Sequence, residues 1–192
     1  MRWEHKGVTN KMCKLSDLAG KSVNELLEKA GVGPDEIPRD LDRLLKGLKI
    51  IATWRDFSDL EKLLADNVKK WGSILGAVAV NDDRVGIFYR PGSTDNRIRF
   101  TVAHELAHCC LHAKELEKGH ILMRYDGYFP DEEEIKANDF ASELLMPERL
   151  LRADYENDPK PRVLDLANKY GVSINVMEVR LIRLNLLGVP LQ

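Results

Sequence analysis

The sequence of 192 residues predicts a mainly helical α+β fold with a small antiparallel sheet and a C-terminal segment that resembles a helix-turn-helix. Most apolar residues recur at the three- and four-residue spacing of helices, whereas only three short runs, at 49–54, 74–80 and 85–90, have the composition of strands. The length fits one domain, or one domain with a small appendage, and a hydrophobic content of 44% is enough for a core.

The composition argues against several classes of protein. A net charge of −2 disfavours a broad nucleic-acid-binding surface. The cysteines Cys13, Cys109 and Cys110 are odd in number and two of them are adjacent, so we expect buried thiols rather than disulfides. The sequence has neither a membrane-spanning run nor the apolar core of a signal peptide, which predicts a cytoplasmic protein with no membrane partner.

The first third of the chain predicts helices around one strand. Residues 1–21 are polar and predict a loose lead-in. Ser22 and Glu25 form the pattern of a capping box, and Gly31 is a stop signal for the helix that follows it. Further on, the apolar spacing predicts a helix over 38–48, a strand over 49–54, and a helix over 58–71 with Leu60, Leu63, Leu64 and Val68 inward.

A β-hairpin is predicted before the central helix. Its two strand-like runs, 74–80 and 85–90, are joined by Asn81, Asp82, Asp83 and Arg84. The hairpin is either a plain scaffold for the helices or a sheet edge to which an extended peptide can add as a strand. The sequence does not separate these two interpretations.

The strongest functional signal is the stretch RIRFTVAHELAHCCLH at residues 97–112. On a helix, its polar residues form one stripe among apolar and small ones: Thr101, His104, Glu105, His108 and His112. Polar groups on a buried helix need partners. Two imidazoles at i and i+4 can bind one Zn²⁺, and Glu105 can act on a water as general base without being a ligand. The alternative is two surface or capping histidines on an ordinary helix.

A third ligand is predicted on the next helix, over 133–146. Glu134, Asn138 and Ser142 share its core-facing seam, spaced four residues apart. Glu134 as the third zinc ligand and Asn138 as the hydrogen-bond partner of a ligating histidine would satisfy both groups. The alternative is that Glu134 only complements the helix N-terminus, as we expect for the acidic residues before it.

Two further interpretations concern residues beside this site. His112 lies about 12 Å along the helix axis from His104, too far to join the same metal ion, so we expect a structural role for it. The irregular stretch 113–132 is predicted to be a loop that can cover the site. It supplies the candidates for binding the oxyanion or the substrate: His120, Arg124, Tyr125 and Tyr128.

The tail, residues 161–187, predicts two short helices around the sequence YGVS, an arrangement that resembles a helix-turn-helix. The second helix is predicted to carry outward a weak set of phosphate contacts: Asn175, Glu178, Arg180 and Arg183. The other interpretation, which we favour, is a helical hairpin that packs on the rest of the domain or helps to hold a protein partner.

The two central motifs, RIRFTVAHELAHCCLH and EIKANDFASELLMP, resemble those of the ImmA/IrrE family of bacterial and phage metallopeptidases. The helix over 38–48 and the tail LANKYGVSINVMEVRLIRL are similar as well, so the resemblance covers about residues 34–190. Two positions depart from the family. Ala107 stands where the family commonly has glycine, and Lys136 stands where it often has a second acidic residue.

The resemblance implies a zincin-like peptidase domain with one zinc ion on the two histidines and Glu134. We expect an N-terminal lead-in at 1–33, the peptidase domain at 34–158 and the C-terminal segment at 159–192. The resemblance further implies cleavage or inactivation of a helix-turn-helix repressor as the regulatory role. Two alternatives stay open: a zinc-containing protein that sequesters a repressor without cleaving it, and a DNA-binding regulator that acts through the tail.

Overall fold

The computed structural model describes residues 12–117, 122–125, 131–157 and 161–187, and their α+β architecture confirms the predicted fold class. A short 3-10 turn at Leu15–Asp17 comes first. The helices are α1 Val23–Ala30, α2 Leu41–Leu48, α3 Ser58–Leu63, α4 Ala65–Trp71, α5 Asp95–Leu111, α6 Ala113–Glu117, α7 Glu132–Leu145, α8 Glu148–Asn157, α9 Val163–Tyr170 and α10 Ile174–Arg183. The strands are β1 Ile51–Trp54, β2 Ile74–Asn81, β3 Arg84–Tyr89 and β4 Leu122–Tyr125.

The four strands form one mixed sheet in the order β1-β3-β2-β4. Strands β2 and β3 make the predicted hairpin, whose turn residues Asp82 and Asp83 have φ angles of 49° and 62°. Two positive φ angles are typical of the type I′ turn that suits a twisted hairpin. Strand β1 runs parallel to β3, so the prediction of an antiparallel sheet is wrong for this pair. The chain reverses direction between β1 and β2 and again in the hairpin, so β3 runs in the same direction as β1. The periodicity of a sequence contains no information about strand direction.

The stretch predicted as a loop, 113–132, contains helix α6 and strand β4 instead. Strand β4 pairs antiparallel with β2, with Ala77 opposite Met123. The hairpin therefore has a strand on each side, and the outer strands of the sheet are β1 and β4. A strand of four residues is too short to show a clear alternation of apolar and polar side chains, which explains why the sequence did not predict it.

The helix predicted over 58–71 is broken at Leu64, which has a ψ angle of 33°. Leu63 is 83% exposed, so its predicted inward position is wrong. The first half, α3, is attached to the sheet through Glu61. The Glu61 carboxylate accepts a hydrogen bond from the backbone N–H of Ile74 at 2.7 Å and forms an ion pair with Arg90.

One hydrophobic cluster contains residues from the N-terminal segment, the central helices and the tail. Leu15 and Leu18 are fully buried in it, and Lys14 forms a β-bridge with Arg84. The interpretation of 1–21 as a loose lead-in is therefore wrong for residues 12–21. The three cysteines are buried free thiols, as expected. No helix in the described part of the chain is long and apolar enough to cross a membrane.

The tail packs on this core as a pair of helices joined at Gly171, which has a φ angle of 65°. This arrangement agrees with the packed-hairpin interpretation. Arg180 is only 8% exposed, so its predicted outward position on α10 is wrong. Its guanidinium donates to the carbonyl oxygen of Met146 at 3.2 Å and pairs with Glu143. The charges along α10 cannot reveal these partners, because Glu143 and the Met146 carbonyl belong to the C-terminal end of α7.

Candidate metal centre

Helix α5 positions two imidazoles in the interior of the protein. Thr94 caps the helix by accepting a hydrogen bond from the backbone N–H of Arg97. From Phe100 to Cys110 every residue is buried, because α5 packs against both the sheet and α7. His104 is 0% exposed and His108 is 4% exposed. Side chains four residues apart project from the same face, so the two rings point to a common place.

Helix α7 brings a carboxylate to the same place. Asp131 caps this helix by accepting a hydrogen bond from the backbone N–H of Glu134 at 3.0 Å, which fixes Glu134 in the first turn. The face of α7 turned towards the core carries Ala137 and Ala141, both fully buried. Such small side chains let the two helix backbones lie close together, so the Glu134 side chain reaches both histidines of α5.

The three side chains meet at nearly equal distances. The Nε2 atoms of His104 and His108 are 3.0 Å apart, and each lies 3.1 Å from an oxygen of Glu134. Ligands at 2.0–2.1 Å from a tetrahedral zinc lie about 3.3 Å from one another. The trio therefore needs shifts of only a few tenths of an ångström to hold such an ion. These are the residues of the described chain that can hold a metal ion together.

Two neighbours orient the imidazoles. The side-chain oxygen of Asn138 lies 3.0 Å from Nδ1 of His104, and because this oxygen can only accept, it requires the proton on Nδ1. The lone pair of Nε2 then points to Glu134 and His108. Nδ1 of His108 lies 2.7 Å from Nδ1 of His112. The distance of His112 from His104 predicts a structural role for it, but His112 also has the i, i+4 spacing from His108 that brings these two rings into contact.

Glu105 is the unusual group of the site. Its side chain is fully buried, and among the described residues neither carboxylate oxygen has a hydrogen-bond partner. Burial raises the pKa of Glu105 to about 8. A buried carboxyl group without partners is costly, and a nearby cation would lower that cost. The two Glu105 oxygens lack partners in the described part of the chain, and three potential ligands lie beside them. The site therefore fits a bound metal ion better than a self-contained hydrogen-bond network.

Gly76 of β2 allows this packing and was not among the residues predicted for the site. A Cβ atom at this position would lie 2.4 Å from Cγ2 of Thr101 and 2.8 Å from Oε1 of Glu105. The strand can therefore approach α5 only because residue 76 has no side chain. The available signal was a glycine inside a β-rich run, which often marks a close approach of two backbones.

Burial and hydrogen bonding also set the charges of the ligand set. Burial lowers the pKa of His104 to about 4, which keeps the ring neutral at physiological pH. Burial by itself would raise the pKa of Glu134, but the neighbouring imidazoles outweigh it and hold the carboxyl group ionised; in return Glu134 raises the pKa of His108 against the effect of burial. A neutral imidazole and an ionised carboxylate are the forms that bind zinc.

A cleft of about 510 Å³ opens beside the trio, and Glu134 and Asn138 lie in its wall. Two of the four predicted oxyanion or substrate residues, Arg124 and Tyr125 on β4, also line it. The Arg124 guanidinium stacks 5.0 Å from the centre of the Phe100 ring. The other two candidates, His120 and Tyr128, lie outside the described residues.

Comparison with known proteins agrees with this geometry. The profile of a peptidase family, described as an IrrE N-terminal-like domain, matches residues 73–182. Neither the curated proteins nor the solved structures contain a significant match. The family match covers more than half of the chain and includes α5, α7 and most of the tail. The chain therefore belongs to the ImmA/IrrE family of metallopeptidases.

Proposed function

We propose that this protein is a zinc-dependent endopeptidase that inactivates a helix-turn-helix repressor by cleaving it. One observation carries the peptidase proposal. Three potential ligands converge within about 3 Å of one another, and a buried carboxyl group without hydrogen-bond partners follows the first of them in sequence. This arrangement combines a metal-binding trio with a base that is not used as a ligand, which is what metal-assisted hydrolysis requires.

In the proposal, His104, His108 and Glu134 hold the metal ion. Two imidazole nitrogens and a carboxylate oxygen are the ligand set of several catalytic zinc sites, which keep a fourth position open. A zinc ion in such a site supplies Lewis-acid polarisation of a carbonyl group and lowers the pKa of a water molecule. Asn138 and His112 hold the two rings in the orientation that ligation needs.

Glu105 acts as the general base and then as the general acid. Its Oε atoms take a proton from the attacking water and later deliver it to the nitrogen of the leaving amine. Burial raises the pKa of Glu105 to about 8, and the positive charge of a bound metal ion would bring it down towards neutral pH, where the carboxyl group can both accept and release a proton. The absence of a hydrogen-bond partner among the described residues leaves both oxygens available for this task.

Arg124 is the best candidate to stabilise negative charge on the substrate carbonyl oxygen. It lies in the wall of the cleft, and its positive charge acts on both His104 and Glu105. It adds to the effect of burial in lowering the pKa of His104 and partly offsets the effect of burial in raising the pKa of Glu105. A guanidinium group this close to the proposed metal site and base can donate a hydrogen bond to a developing oxyanion. Tyr125, the next residue on β4, is the second candidate.

The repressor as substrate is supported by the family resemblance and not by the geometry. The alternative is a protein that binds the repressor without cleaving it. The two are separated by incubating the zinc-loaded protein with a helix-turn-helix repressor encoded beside its gene. A cleaved repressor favours the peptidase, whereas a stable complex with a full-length repressor favours sequestration.

The decisive variant is Glu105→Gln, which removes the base but none of the proposed ligands. We expect it to bind about one zinc per chain and to lose cleavage by at least about 10²-fold, the usual contribution of a general base. Glu115→Gln, a carboxylate of α6 outside the cleft, is the matched control and should cleave like wild type. Wild-type cleavage by Glu105→Gln would refute the assigned role.

A further inference from the structure

The cleft does not end at the metal-binding trio. The cavity that contains Glu134 and Asn138 continues to the beginning of α10, where Ser173, Asn175 and Val176 line it. The apolar residues that line it include Leu75, Phe100 and Val176. One continuous space therefore connects the residues proposed to bind the metal with the first turn of the last helix of the tail.

Helix α10 is attached to both helices that carry the proposed ligands. From α5, Asn96 donates to the carbonyl oxygen of Val172 at 2.9 Å, and Arg99 donates to the carbonyl oxygen of Gly171 at 3.0 Å. On the α7 side, Arg180 donates to the Met146 carbonyl oxygen and pairs with Glu143. These contacts fix the first turn of α10 relative to the metal-binding trio, so it can act as a permanent wall of the cleft.

We propose that this first turn of α10 selects the substrate. An extended segment of the substrate protein lies in the cavity with an apolar side chain against Val176. The Asn175 amide group, which both donates and accepts, binds the main chain of the same segment. The inference rests on the proposed peptidase function and names the part of the substrate that the tail recognises. It gives the helix-turn-helix-like tail a role in peptide recognition instead of DNA recognition.

The chain offers a matched pair of valines for the test. Val176 lines the cavity, whereas Val179, on the same helix, is 54% exposed and does not line it. Tryptophan at 176 should fill the cavity, and tryptophan at 179 should extend into solvent. Both substitutions are made in the Glu105→Gln protein so that peptides are bound without being cut. Asn175→Ala is a second, smaller change that keeps the test valid if Val176→Trp does not fold.

The zinc-loaded variants are incubated with a pool of random decapeptides, and the retained peptides are identified by mass spectrometry. We expect the Glu105→Gln parent to retain peptides that share an apolar residue at one position. Val176→Trp should lower the retained amount at least tenfold, Asn175→Ala should lower it or change the preferred sequences, and Val179→Trp should match the parent. Zinc content and melting temperature report whether each variant is folded.

Several outcomes would overturn the inference: no retention by the parent, equal retention by Val176→Trp and the parent, or equal losses in the two tryptophan variants. Wild-type protein incubated with the same pool tests the peptidase function separately. Retention that depends on Val176 without cleavage by wild type would refute the peptidase while the recognition wall stands. Cleavage at the same sites by wild type and by a Val176→Trp protein with Glu105 intact would support the peptidase function and refute substrate selection by the first turn of α10.

Discussion

At the scale of single residues, Asn138 determines which nitrogen of His104 is available to a metal ion. Its side-chain oxygen accepts from Nδ1, so the lone pair of Nε2 faces Glu134. Partners of this kind raise the basicity of a ligand and restrict rotation of the ring. The contribution of Asn138 is therefore to metal affinity, and the ligand set itself remains complete without it.

We predict that Asn138→Ala weakens zinc binding by about 10–100-fold, because His104 loses the partner that fixes its proton and its orientation. The affinity is measured by competition with a chromophoric chelator. Lys136→Ala changes an exposed residue of the same helix and should bind zinc like wild type. Equal affinities for wild type and Asn138→Ala would mean that the contact does not orient the ring.

Gly76 provides a second prediction at this scale. In Gly76→Ala the new methyl group must displace both Thr101 and Glu105, so we expect a loss of about 1–3 kcal/mol in the free energy of unfolding, together with loss of cleavage. Urea denaturation measures the first effect. Gly33→Ala is the control, because the nearest atoms to its Cβ would be those of the Glu36 side chain, at 3.1 Å, and that side chain is 39% exposed and can move. Two variants of equal stability would contradict the close-approach argument.

At the scale of elements, the sequence predicted those features that are local along the chain. The i, i+4 spacing of His104 and His108 within a helix, and the position of Glu134 near the start of the next long helix, could both be derived from periodicity. Strand β4 could not, because only its pairing with β2 defines it. Gly76 was missed for the same reason, since its importance depends on Thr101, which is distant in sequence.

The tail gives an element-scale prediction that compares two arginines of α10. Arg180 is buried and binds both Met146 and Glu143, whereas Arg183 is exposed and pairs with Asp139. Arg180→Met should lower the free energy of unfolding by about 1–3 kcal/mol, because the buried Met146 carbonyl loses its charged donor. Arg183→Met should change it by less than about 1 kcal/mol, as is usual for an exposed ion pair. Urea denaturation of both variants decides, and equal losses would show that burial of Arg180 contributes nothing.

At the scale of the whole molecule, the trio links two helices that belong to the same hydrophobic core. His104 and His108 come from α5 and Glu134 from α7, so a bound ion cross-links the two long helices of the described chain. An ion that binds the native site but not the unfolded chain stabilises the fold according to its free concentration. Metal binding should therefore raise the stability of the whole fold, including core residues that do not contact the ion.

We predict that zinc at about 100 times its dissociation constant stabilises the protein by about 2.7 kcal/mol relative to the chelated form. For a chain of this size, that corresponds to a rise of about 5–10 °C in melting temperature, measured by differential scanning fluorimetry with and without EDTA. Glu134→Ala should abolish the difference because it removes one of three ligands. Glu133→Ala, which changes the exposed neighbour in the same helical turn, should preserve it. A zinc-dependent shift that persists in Glu134→Ala would show that the stabilising ion binds elsewhere, and the shared site of α5 and α7 would then have to be abandoned.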